Sequence, residues 1–150
     1  MRRVALLILP AVLIAGAAAA QRSDPARTIA ARQAGMKDVG KSFKAINDQV
    51  RSGSPDRGVV KASADRLSAH ARSVAGWFPR GSGAVPGVKT AAKPEIWASG
   101  TTFAARTRAF AAATTALSRA AAGSGDLTAP TRAVGQTCKG CHDLYKVAND

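Results

Sequence analysis

Cysteine is scarce: the 150-residue chain has two, Cys138 and Cys141, and both lie in one short motif. Neither is left to staple distant parts of a fold, so packing must hold this chain together. Acidic residues are also few, nine against 22 lysines and arginines, a formal charge of +13. Asp143 and Glu95 have no partnered acid, base or nucleophile in view, and nothing resembles a constellation for acyl, phosphoryl or glycosyl chemistry. The chain is therefore not expected to be an enzyme of those classes. Strict apolar–polar alternation is missing throughout, which excludes a sheet. Beyond the first 20 residues no apolar run is long enough to cross a membrane.

Those first 20 residues differ from the rest. Met1-Arg2-Arg3 is a short basic start, Val4 to Ala17 is almost wholly apolar, and Ala18-Ala19-Ala20 offers a small-residue cleavage site. A retained anchor is the alternative, but Pro10, Gly16 and the alanine tail favour removal. Residues 1–20 are thus expected to be a cleaved signal peptide and residues 21–150 a single exported domain. That domain has a net charge of +11, because Arg2 and Arg3 leave with the signal. Such a charge favours an acidic redox partner or an anionic surface; export argues against nucleic acid.

Helical periodicity fills most of what remains. Asp24-Pro25 is an N-cap followed by proline at the first helical position. Ile29, Met36, Phe43 and Val50 then recur every seven residues, with Val39 and Ile46 between them, up to Ser52-Gly53. Ser54-Pro55-Asp56 repeats the starting signal, and Val60, Ala64, Leu67, Ala71, Val74 and Phe78 form a second stripe. Pro79 to Lys93, with Gly81, Gly83, Pro86 and Gly87, reads as one substantial loop. Pro94-Glu95 opens a third helix carrying Ile96, Phe103, Phe110 and Leu117, stopped by Gly123-Ser124-Gly125. Asp126 or Thr128 caps a fourth, with Val134, Cys138, Cys141, Tyr145 and Ala148 on one face. The expected fold is all-α: an antiparallel four-helix bundle with short links between helices one and two and between three and four.

Cys138-Lys139-Gly140-Cys141-His142 is a C-x-x-C-H run, the attachment site of c-type haem. Two thiols three residues apart share one helix face, where each can form a thioether with a haem vinyl group. The imidazole that follows can reach the iron as an axial ligand. A redox dithiol is the first alternative, but it normally opens a helix in a fold with strands. Zinc is the second, and would need a fourth ligand such as His70 or a carboxylate. One covalent haem c per chain is the expectation.

With these residues in place, the chain resembles the cytochrome c prime family, including its low-spin relatives of the cytochrome c-556 type. The likeness rests on Arg32-Gln33-Ala34-Gly35-Met36-Lys37, on Phe78-Pro79-Arg80-Gly81-Ser82-Gly83, on Lys93-Pro94-Glu95-Ile96-Trp97, and on the haem motif followed by Tyr145-Lys146. The motif alone is common to c-type cytochromes; its place at the end of a four-helix chain is the discriminating part. The resemblance implies a left-twisted bundle enclosing the haem, often a homodimer, in a bacterial periplasm. It also implies that Arg32 and Gln33 sit near the haem, Arg32 beside a propionate, and that Ser82 and Gly83 approach the haem edge.

Met36 is the pivot. Its sulfur could be the sixth iron ligand, which suits one-electron transfer. Alternatively it only seals the open haem face, leaving a five-coordinate iron for a diatomic gas such as nitric oxide or carbon monoxide. Trp97 and Phe103 are expected to pack on each other or on the macrocycle. Lys139 and Lys146 are candidates for a docking patch, and His70 is expected at the surface.

Overall fold

The computed structural model describes residues 24–148; the signal segment, residues 1–20, and its cleavage site lie outside them. Helix α1 spans Pro25–Arg51, and the Asp24 carboxylate accepts a hydrogen bond from Ala26 N at 2.9 Å. The helix stops at Ser52, and Gly53 turns the chain with φ +73°. Helix α2, Arg57–Ser73, is capped by Asp56, whose side chain accepts from Val59 N at 3.1 Å. It tightens into a 3-10 turn over Val74–Trp77.

The third expected helix is broken. A single turn, α3 (Glu95–Ala98), is followed by Ser99 with non-helical backbone angles, and α4 runs Gly100–Ala122. Two causes act together. Ser99-Gly100 is a poor helix-forming pair. Trp97 is also pulled towards the start of the loop, where its Nε1 donates to Phe78 O at 3.2 Å and Pro79 O at 3.0 Å. Helix α5, Thr128–Tyr145, starts beside Asp126, which accepts from the amides of Thr128 and Ala129. It ends at Tyr145, so Ala148 lies beyond it. No strand forms among the described residues; the only sheet-like pairings are isolated bridges, Val85 to Val88 and Ala92 to Lys146.

The four long helices, α1, α2, α4 and α5, pack in chain order as an antiparallel bundle. α2 lies between α1 and α4, and α4 against α5, whereas α1 meets α5 only narrowly. Ile46, Val60, Ala64, Leu67, Leu117 and Val134 are fully buried in the main core. Burying an aliphatic side chain of this size is worth roughly 1.5–3 kcal/mol. Arg57 ties the α4–α5 link to α2 by donating to Gly123 O and Gly125 O, both at 2.5 Å.

A second, aromatic cluster closes the opposite end. Phe103 meets Phe78 at 5.1 Å and Tyr145 at 5.2 Å, both edge-on, and Ile96 and Trp97 pack beside them. The end of α5 is strapped to the loop by Lys93 N to Tyr145 O (2.9 Å) and Val147 N to Ala91 O (2.8 Å). His70 departs from its expected surface position. It is half-buried, its ring edge-on to Trp77 at 5.8 Å.

Candidate haem site

Between α1, α4 and α5 the bundle opens into a cleft of about 380 Å³, its mouth included. Its walls are Met36 and Val39 from α1, Val74 from the 3-10 turn, Arg106, Thr107 and Phe110 from α4, and Thr137, Cys138, Cys141 and His142 from α5. Four of the residues singled out in sequence, Met36, Cys138, Cys141 and His142, therefore meet on one cavity.

Each is delivered by helix geometry. Cys138 and Cys141 are one turn apart on α5 and half-buried, and His142 stands at the rim, four residues after Cys138. Met36 faces the same space from α1, held there by the stripe that buries Ile29 and Ile46. Beside it, Gly35 lets Trp77 lie directly on the helix backbone. A Cβ at Gly35 would come within 2.7 Å of the indole.

The electrostatics favour a neutral donor set. Burial pushes the Cys138 thiol above its ordinary pKa, and the neighbouring Cys141 adds to this. Burial raises Cys141 too, against the opposing pull of Arg106. His142 is lowered, first by burial and then by Lys146, with Asp143 opposing, so the imidazole is neutral at neutral pH, as metal ligation requires. The hydroxyls on the walls are engaged with their own helices: Thr107 donates to Ala104 O at 3.0 Å and Thr137 to Val134 O at 2.7 Å. Among the described residues no three or more His, Cys, Asp or Glu side chains are grouped so as to hold a metal ion between them. Two thiols and an imidazole on one cleft are the groups that covalent haem attachment uses, and the Met36 thioether lines the same walls.

The other four residues assemble elsewhere, at the loop. Arg32 is 3% exposed and has no carboxylate partner among the described residues. Its guanidinium donates to Ser82 O (2.7 Å), Ser82 Oγ (3.2 Å) and Thr90 Oγ1 (2.9 Å), and lies over the rings of Phe78 and Trp97. Burial pulls its pKa below the ordinary arginine value. Ser82 is itself buried and donates to Pro79 O at 2.8 Å; Gly83 packs against Trp97. Gln33 is exposed and donates to Lys89 O at 2.9 Å. These residues pin the loop to α1 one turn from Met36, and none of them lines the cleft.

Sequence reading missed Arg106 and Thr107. The signal was available: Arg106 stands three residues after Phe103 and four before Phe110, on the stripe of the same helix. It is exposed as its charge suggests, yet it also forms part of the cleft wall.

Comparison with known proteins agrees with this fold. The family model described as Cytochrome C' matches residues 27–146. No curated protein matches the chain. Cytochrome c prime from Shewanella frigidimarina is 29% identical with a TM-score of 0.77, covering 84% of this chain and 98% of its own. The cytochrome c' from Rhodobacter Spheriodes is 32% identical (TM-score 0.75), covering 85% of this chain and 100% of its own. A variant of cytochrome c prime from Alcaligenes xylosoxidans, solved as a nitric oxide complex, is 26% identical (TM-score 0.75), covering 84% of this chain and 98% of its own. With its four-helix bundle, its two cysteines at the C-terminal end for haem c, and the match over residues 27–146, the chain belongs to the cytochrome c prime family.

Proposed function

We propose that this protein is an exported, periplasmic one-electron carrier. The observation that carries the reading is the shared cleft: Met36 enters it from α1, and Cys138, Cys141 and His142 from α5. Haem c bound there supplies an iron that takes up and gives back one electron. The chain's own residues do the rest. Cys138 and Cys141 would tether the group, the neutral His142 would bind its iron through a ring nitrogen, and Met36 would offer it a thioether or seal the site. Val39, Val74 and Phe110 exclude water and keep the local dielectric low, which tunes the potential. Arg32, Gln33, Ser82 and Gly83 hold the loop beside the site, where Arg32 or the backbone amides at Ser82 and Gly83 would meet a haem propionate. Among the described residues no helix is long and apolar enough to cross a membrane. An acidic partner suits the +11 charge of residues 21–150, and a homodimer follows from the family resemblance.

A second reading is favoured by the nitric oxide complex of the Alcaligenes xylosoxidans relative. If Met36 only packs over the site, the same apolar wall encloses a diatomic gas. The absorption spectrum of the oxidised, exported protein separates the two. A far-red sulfur-to-iron band, with no carbon monoxide uptake after reduction, is expected for the carrier. A high-spin spectrum with carbon monoxide binding overturns it in favour of gas capture.

A further inference from the structure

Among the residues that line the cleft, Arg106 alone has a side chain that is charged at every physiological pH. Its guanidinium has no hydrogen-bond or ion-pair partner among the described residues. It lies across the turn that joins the two cysteines: Nη1 is 3.2 Å and Cζ 4.0 Å from where a side chain on Gly140 would begin. A Cβ at Gly140 would oblige the guanidinium to give way by a few tenths of an ångström. The other polar groups on that wall, Thr107 and Thr137, have already donated their hydroxyl protons to Ala104 O and Val134 O. Lys139, the nearest lysine in sequence, pairs with Asp143 at 2.6 Å.

Covalent haem carries its thioethers on the edge opposite its two propionates. A guanidinium over the Cys138–Cys141 turn is therefore remote from those carboxylates, and its charge is not neutralised by them. A fixed positive charge beside a redox centre favours whichever state carries less positive charge.

We propose that Arg106 raises the reduction potential of the site, favouring the ferrous over the ferric state. One electron passes from a one-electron donor to iron(III), giving iron(II), with no bond made or broken and no proton moved. The proposal rests on haem c being attached at Cys138 and Cys141, and is independent of whether Met36 ligates. Arg106 is exposed on one side, so solvent screens it and the effect is modest, about threefold in the ferrous-to-ferric ratio at a fixed ambient potential.

The test is a spectroelectrochemical titration of the haem-loaded protein and its Arg106→Lys, Arg106→Gln and Arg106→Glu variants with soluble mediators. The expected order of potential is wild type close to Lys, then Gln, then Glu. Gln should shift the ratio about threefold towards ferric, and the shift should shrink as salt rises. Thermal midpoints and visible spectra should stay those of the wild type, which a merely structural role would not predict. Equal potentials across the series, or a Lys variant that falls as far as Gln, overturn the proposal while leaving the haem reading intact. A wild-type protein that emerges colourless from an export host overturns both.

Discussion

The two ends of this bundle are packed differently. At the end that carries the short links, Ile46, Val60, Ala64 and Leu117 are fully buried and Leu127 nearly so. At the other end the stripes continue, yet Met36, Val39, Cys138 and Cys141 are only half-buried. The apolar pattern is the same in both halves of α1 and α5; what changes is the neighbour. α2 and α4 pack closely on each other, whereas α1 and α5 meet only narrowly and the cleft lies between them. A stripe residue that its own fold leaves half-covered is a wall for something else. The core at the linked end thus closes on itself, whereas the cleft keeps its walls half-covered between that core and the aromatic cluster.

The largest expected contrast tests that division. Leu117→Ala should cost about 2–5 kcal/mol in chemical denaturation, because it empties a closed core. Val39→Ala, on the cleft wall, should cost about 1 kcal/mol or less. Similar losses at both sites would erase the distinction.

The loop knot comes next. Arg32→Met removes a buried cation but leaves Ser82 O without its donor. A loss of about 1–3 kcal/mol is expected, with faster proteolysis within residues 79–93. Unchanged proteolysis would mean that the guanidinium does not hold the loop.

Gly35→Ala sharpens the comparison at the cleft itself. The new methyl meets the Trp77 indole, so the ring or α1 must shift, at about 1–3 kcal/mol. Tryptophan fluorescence should move, together with the visible spectrum if Met36 follows the helix. A variant as stable as the wild type with unchanged fluorescence would show that the notch is slack.

The smallest effect belongs to the linked end. Hydrogen bonds from Lys61 and Ser118 depress the Asp65 carboxyl, and those from Thr128, first, and Ala129 depress Asp126. Below their ordinary values the unfolded chain takes up these protons more readily than the folded one. The stabilisation is therefore present above about pH 4 and declines as pH falls further. Melting curves from pH 5 to pH 2 should show a shallower decline for Asp126→Asn than for the wild type.

Much of this was legible in the chain. Asp24, Asp56 and Asp126 mark helix starts because a short acceptor beside free amides has one local use. The seven-residue spacing from Ile29 to Val50 and the C-x-x-C-H run need no tertiary knowledge either. What was not legible depends on contacts far apart in sequence. The break at Ser99-Gly100 is decided partly by Trp97 reaching Phe78 O and Pro79 O. Arg32 is paired with Ser82 and Thr90, 50 and 58 residues away. His70 is drawn half inside by Trp77. Arg106 reaches Gly140 across two helices, and no spacing rule joins them.

Amide hydrogen exchange on the haem-loaded protein and on a Cys138→Ala/Cys141→Ala variant lacking covalent haem tests the central claim most directly. Haem should add protection along the cleft faces of α1, α4 and α5, around Met36, Phe110 and Cys138, and leave Val60 and Leu117 as they were. Equal protection at both ends, or a gain confined to the linked end, would contradict a haem site between Met36 and His142.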